Sequence, residues 1–127
     1  MEFFPDKSFK INIDTTNSFP TGAGCASSAS GGACLAQCVK SVLLKILETH
    51  NKHMIDKALK LDLSVLARKL SGSASRSVYG GFVQWDTSGI STCFKDENYW
   101  SDISIILLIV SDKKKDFGST DGMKISV

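Results

Sequence analysis

Long apolar runs are missing from this sequence. The longest, residues 103–110, holds eight residues with Ser104 inside it, far short of the ~20 that a membrane-spanning helix needs. The opening MEFFPDK is charged early and has no apolar segment of the signal-peptide kind. A reducing cytosol is therefore expected, with Cys25, Cys34, Cys38 and Cys93 as free thiols. Charge of one sign is missing too. Fifteen Lys and Arg stand against 13 Asp and Glu, a formal net charge of +2, too small to argue for nucleic acid or a membrane surface as partner. Any anion binding must come from local geometry. Proline is scarce, at two residues, and the ten glycines follow no period, which excludes collagen-like and low-complexity chains. What remains is an ordinary globular composition, and 127 residues suit one domain.

Two pairs have the spacing of metal ligands. Cys34 and Cys38 stand at i,i+4, where one helix face could carry both. In an Ala-rich helix, however, free cysteine packs as a small hydrophobe, so both are expected to be buried. His50 and His53 lie in a polar stretch and read as a solvated helix end. No acidic residue completes either pair, so no protein-held metal site is expected.

Along the chain, Ile11 and Ile13 alternate with Asn12 and Asp14, so residues 10–16 read as a half-buried strand, ended near Pro20. A loop of small residues follows. Ala33, Leu35, Ala36, Val39, Val42, Leu43 and Ile46 then recur at helical spacing and predict a long helix to about His50. Residues 51–60 read as a loop or a short amphipathic helical insertion. Asp62 is a plausible N-cap for a helix through Lys69. Residues 80–85 read as a turn into a strand, with a second short strand over 90–94. The Ile, Leu and Val of residues 103–110 predict a strand buried on both faces. Strands alternating with helices give an α+β or α/β domain. Neither end resembles a domain boundary with a linker, and the chain reads as part of a longer protein.

Two segments carry chemistry. Between the first strand and the long helix lie Gly22, Gly24, Ser27 and Ser28. Glycine lets backbone approach a ligand, and the first N–H groups of a helix with its dipole favour an anion. No Lys-Ser/Thr follows the glycines, and Ser27 stands where GxGxxG has its third glycine, so neither familiar nucleotide loop is present. Close packing of helix on strand would require the same small residues. In the second segment, Ser71, Ser73 and Ser75 alternate beside Arg76, whose planar fork suits a carboxylate or phosphate. An ordinary serine-rich turn with a surface arginine would look alike.

Read together, the segments resemble a known family. Asn17 to Gly31 (NSFPTGAGCASSASG) resembles the phosphate loop of the GHMP kinase superfamily in its diphosphomevalonate decarboxylase form. Ala67 to Ser77 (ARKLSGSASRS) with Tyr79 to Trp85 (YGGFVQW), and Val110 to Met123 (VSDKKKDFGSTDGM), resemble two motifs particular to that decarboxylase. The resemblance implies an α+β fold of the ribosomal protein S5 domain 2-like kind, with residues 1–127 as part of the N-terminal domain and the C-terminal GHMP domain absent. It implies ATP with Mg2+ as cofactors and mevalonate 5-diphosphate as the small-molecule substrate, which is phosphorylated on its tertiary hydroxyl and decarboxylated to isopentenyl diphosphate. It implies a cytosolic homodimer for the full-length protein.

Carried over by residue, Ser28 would bond the ATP phosphates and help order the metal, and Ser27 with the loop amides of Gly22 and Gly24 would cradle them. Ser71 and Ser73 would sit at the substrate, with Ser73 on its diphosphate and Arg76 on its carboxylate. Two departures stand out. Leu70 replaces a glycine usual before the first serine, a strain wherever that backbone is left-handed, and Gly118 replaces a serine of the third motif. The family's catalytic aspartate, and a Lys and a Tyr near the substrate, come from regions these residues do not include, so the chain alone is expected to be inactive. Another small-molecule kinase of the superfamily would share the first motif but not the serine–arginine pattern. A short product that binds a partner or nucleotide without catalysis is the reading from a different class.

Overall fold

Alanine, more than leucine, makes the centre of this molecule. In the computed structural model, which describes residues 10–111 and 116–126, a buried cluster of Ala36, Ala67 and Ala74 is flanked by Leu63, Leu66 and Val78. All but Val78 come from three elements. Helix α1 spans Ser27–His50, helix α3 spans Leu63–Arg68, and a 3-10 turn covers Ser73–Ser75. Side chains this small bring the elements to within backbone reach of one another.

Within this cluster the close approach is at Gly32. A Cβ placed there would lie 2.9 Å from the Cβ of Ala74 and 3.5 Å from that of Leu70. The neighbouring Gly31 has open space around it. Glycine is a poor helix former in both places, but only at Gly32 does its missing side chain let the Ser73–Ser75 turn rest on α1.

After α1, a 3-10 turn at Lys52–Met54 leads into helix α2, Ile55–Leu59. Leu47 and Ala58 are fully buried, and Lys40 of α1 donates from Nζ to the carbonyls of Leu59 (3.2 Å) and Leu61 (2.7 Å) at the end of α2. Asp62 then starts α3. Its carboxylate accepts from the backbone N–H groups of Ser64 (2.8 Å) and Val65 (3.2 Å) and from the Ser64 hydroxyl (2.6 Å). That hydroxyl is the main reason the Asp62 carboxyl is held below its ordinary value of 3.8, with the two N–H groups and the Lys40 charge adding to it against partial burial.

Strands β1, Phe82–Trp85, and β2, Ser91–Lys95, form an antiparallel hairpin that pairs Val83 with Cys93, Gln84 with Thr92 and Trp85 with Ser91. Its turn closes through the N–H of Gly89 donating to the Asp86 carbonyl at 3.1 Å. Near the end of the chain, Ser119–Ile125 forms helix α4 behind Gly118, whose φ of −69° is extended and unstrained. Helices beside a small antiparallel sheet make the chain α+β.

Three expectations fail. Residues 10–16 form no strand, and Ile11 and Ile13 are each 58% exposed. Residues 103–110 form none either, with Ile105 to Val110 between 75% and 98% exposed. A strand needs a ladder partner as well as a pattern, and among the described residues neither segment has one. Cys34 and Cys38, expected to be buried, are exposed. They lie on a second face of α1, beside an open groove of about 690 Å³ bordered by Ile13, Phe19, Leu35, Val42 and Ile46. By length and composition α1 is apolar enough to cross a membrane, although it holds no unbroken apolar run of that length. Its Ala29, Gly32, Ala33 and Ala36 face is instead buried within the chain. The reading of residues 1–9, and residues 112–115 of the third motif, lie outside the described residues.

The two adjacent glycines should separate cleanly in urea unfolding. Gly31→Ala is expected to stabilise by about 0.5–1 kcal/mol through helix propensity, and Gly32→Ala to destabilise by about 1–3 kcal/mol through overpacking. Equal shifts would mean that the Ala74 contact is not tight.

A second expectation concerns pH. A carboxyl whose native pKa is lowered adds stability that is present above 3.8 and is lost as pH falls through the native value. Asp62→Ala should therefore cost about 1 kcal/mol near neutrality, and the gap to the parent protein should close in acid. A gap independent of pH would assign the effect to packing.

Candidate functional site

The loop before α1 is bent by three left-handed residues, Gly22 (φ 77°), Gly24 (φ 88°) and Ala26 (φ 53°). Left-handed residues interleaved with right-handed ones turn successive N–H groups toward a common concavity, an arrangement suited to anions. Glycine takes such angles freely, whereas Ala26 takes them at a cost of roughly 1–2 kcal/mol. Its position explains the strain. Ala26 is the N-cap of α1, and its carbonyl accepts from Ala29 (3.0 Å) and Ser30 (3.1 Å). No side chain caps α1, and its first turn holds no acidic residue. The N–H groups of Ser27 and Ser28 have no intrahelical acceptor and stand at the positive end of a 24-residue helix.

The two serines differ. Ser27 Oγ accepts from the Gly22 N–H at 3.3 Å and closes the loop, so that amide is already engaged and Ser27 braces the loop's curve. Ser28 is exposed and free to turn toward a ligand.

In the second segment, Leu70 and Ser71 continue the coil of α3, each donating to the Ala67 carbonyl (3.0 and 3.2 Å). Leu70 is not left-handed, since Ala26 is the one non-glycine residue with positive φ among the described residues. The departure from the family's glycine therefore carries no backbone strain. Ser71 and Ser73 are half-buried, with their hydroxyls 3.1 Å apart. Ser75 does not join them. It turns inward, is fully buried, and donates to the Gly72 carbonyl at 2.7 Å.

A line of hydroxyls fastens this segment to the hairpin. Ser91 Oγ donates to Ser75 Oγ (3.0 Å), and the Ser91 N–H donates to Ser64 Oγ (3.2 Å), which itself donates to Asp62. All three serines are buried. Every hydroxyl has a partner, as the low dielectric inside a protein demands. Arg76 follows, half-buried, with its guanidinium carbon 5.4 Å from the centre of the Trp85 ring.

Packing at Gly32 places this serine–arginine segment one turn along α1 from Ser27 and Ser28. An open cleft of about 610 Å³ is bordered by Cys25, Ala26 and Ser30 and by Ser77 and Val78, flanking parts of the two motifs, but Gly22, Gly24, Ser27, Ser28, Ser71, Ser73 and Arg76 do not line it. Sequence reasoning missed the left-handed Ala26, the Ser64–Ser91–Ser75 line and the stacking of Arg76 on Trp85. Only Trp85 had a signal, as the aromatic residue that closes the YGGFVQW segment.

The geometry coincides with a family assignment. A family model described as the diphosphomevalonate decarboxylase-like N-terminal domain matches residues 2–95. The chain belongs to that family. It is 39% identical to the diphosphomevalonate decarboxylases of Bos taurus and Homo sapiens, over 94% of this chain and 28% of each relative. It is 36% identical to that of Saccharomyces cerevisiae, over 94% of this chain and 29% of the relative. The chain thus spans little more than a quarter of the length of these curated relatives. No solved structure matches it.

The hydroxyl line makes a thermodynamic expectation. Ser91→Ala and Ser75→Ala should each destabilise by about 1–3 kcal/mol, because each strands a buried polar group. The double variant should lose less than the sum of the two, by about 0.5 kcal/mol or more. Strict additivity in urea unfolding would show that the two hydroxyls act independently.

Proposed function

We propose that this chain is the phosphate-loop and substrate-gripping part of a diphosphomevalonate decarboxylase, acting on mevalonate 5-diphosphate with ATP and Mg2+. The observation that carries the reading is the seating of the serine–arginine segment on α1 through Gly32, beside the loop that begins the same helix. The loop fits a polyphosphate, having left-handed curvature, uncapped first-turn N–H groups and an exposed Ser28 hydroxyl. ATP supplies the phosphoryl group that turns the tertiary hydroxyl of the substrate into a leaving group, and Mg2+ screens its charge.

The chain's own residues then bind and orient. Ser28 and the N–H groups of Ser27 and Ser28 hold phosphate oxygens, while Ser27 and Gly22 keep the loop curved. Ser71 and Ser73 donate at the substrate, Ser73 to its diphosphate. Arg76 grips the substrate carboxylate and fixes the direction in which CO2 departs. Transfer of a phosphoryl group depends on such positioning and on charge stabilisation more than on covalent chemistry.

The same reading makes residues 1–127 part of an N-terminal domain with the ribosomal protein S5 domain 2-like fold. The whole protein would be a cytosolic homodimer of the mevalonate pathway, with the C-terminal GHMP domain supplying the catalytic aspartate. Alone, this chain binds without turnover.

Calorimetric titration with mevalonate 5-diphosphate tests this directly. Binding is expected, and Arg76→Gln should weaken it about 10- to 100-fold, the worth of a charge-assisted hydrogen bond. No CO2 should be released when Mg-ATP is added. Equal affinity in the variant would remove Arg76 from the site. ATP-dependent CO2 release that disappears in Arg76→Ala would show the chain to be a catalyst by itself.

A further inference from the structure

One indole ring serves two guanidinium groups. The guanidinium carbon of Arg68, at the end of α3, lies 4.4 Å from the centre of the Trp85 ring, and that of Arg76 lies 5.4 Å from it. Arginine is weakly hydrated and stacks well on aromatic faces, and the negative face of the ring attracts a cation. The ring also touches the loop between the two arginines. A Cβ on Gly72 would lie 3.5 Å from Trp85 Cη2, so the backbone between Ser71 and Ser73 rests against the indole edge. Arg68 is confined at Gly89 as well, its Nη1 occupying the place where a side chain at that buried glycine would begin.

Among the described residues neither Arg68 nor Arg76 forms an ion pair, although their two positive groups share one ring. Like charges gathered without a carboxylate between them raise the local potential and favour an anion that can bridge them. Trp85 is 39% exposed, Arg68 is exposed and Arg76 half-buried, so such an anion can reach the arginines from solvent. Trp85 comes from β1, outside the serine–arginine segment, and the Ser91–Ser75 bond holds its hairpin in place.

We propose that Trp85 is a positioning residue that aims Arg76, and that Arg68 is a second binding arginine of the same anion site. The inference rests on the decarboxylase reading for the identity of the anion, but not for the existence of the paired site. Arg68 is also held at Gly89, so most of the effect of Trp85 passes through Arg76 and exists only while Arg76 is present.

That dependence supplies the test. Affinities for inorganic pyrophosphate and for mevalonate 5-diphosphate are measured by calorimetry on the chain and its variants, with far-UV circular dichroism as the check of folding. Trp85→Phe keeps an aromatic face and should bind within about threefold of the parent, and Trp85→Leu should bind about tenfold more weakly. In an Arg76→Gln background, the further loss from Trp85→Leu should shrink to about threefold or less, what remains passing through Arg68. Arg68→Gln should weaken pyrophosphate binding about threefold or more. In ligand-free Trp100→Phe protein, where Trp85 is the lone indole, Arg76→Gln should change the emission. Parental affinity in Trp85→Leu, or the same loss with Arg76 already removed, overturns the inference and leaves the decarboxylase reading standing. Binding of pyrophosphate without mevalonate 5-diphosphate overturns the substrate reading and leaves the paired site. Binding of neither overturns both.

Discussion

The approach of Ala74 to Gly32 is the contact on which the rest of the site depends. Nothing larger than glycine fits there, since a Cβ would stand 2.9 Å from another Cβ. Because it fits, the segment of Ser71, Ser73 and Arg76 lies directly on the helix whose first turn carries Ser27 and Ser28. An alanine core rather than a leucine one serves the same end. Leucine-sized side chains would hold the turn and helix apart at the usual 8–10 Å interaxial spacing, and the serine–arginine segment would not rest on α1. The arrangement trades buried apolar area, the main source of stability, for proximity. Polar bonds then carry more of the burden of fixing the turn, and the buried serines supply them.

Legibility divides along the line between local and non-local cause. The long helix, the Asp62 cap and both strands of the hairpin were readable because each is decided within a few residues, by apolar spacing, a capping carboxylate or a glycine turn. Residues 10–16 and 103–110 were misread for the opposite reason. Their alternation and β-branched content are genuine strand signals, but a strand is a relation between two segments, and no partner is present among the described residues. Cys34 and Cys38 failed for a related cause. α1 is apolar on two faces, and periodicity cannot say which of the two is covered.

The candidate site was legible as composition and not as geometry. Ser71, Ser73 and Ser75 look equivalent in sequence, and only the fold separates two outward hydroxyls from one buried tie to the Gly72 carbonyl. Leu70 looked like a cost, because its family position is usually glycine, yet its backbone is ordinary. The strained residue is Ala26, which nothing in the sequence marks, since a left-handed alanine has no local signature.

The two halves of the proposed site deliver positive charge in different ways, and this difference accounts for the architecture around each. At the loop the charge belongs to backbone N–H groups and a helix end. Its direction is set once the chain is folded, and a few left-handed angles are all the support it requires. At the serine–arginine segment the charge sits at the tip of a long side chain with about 2 kcal/mol of rotamer freedom to lose. A free guanidinium would spend most of its time pointing into water. Holding it requires a flat partner, a loop without side chains beside that partner, and a fixed hairpin to carry it. Trp85, Gly72 and the buried Ser91–Ser75 bond meet these requirements in turn. The strand that looks remote from the chemistry in sequence is therefore what gives Arg76 a direction.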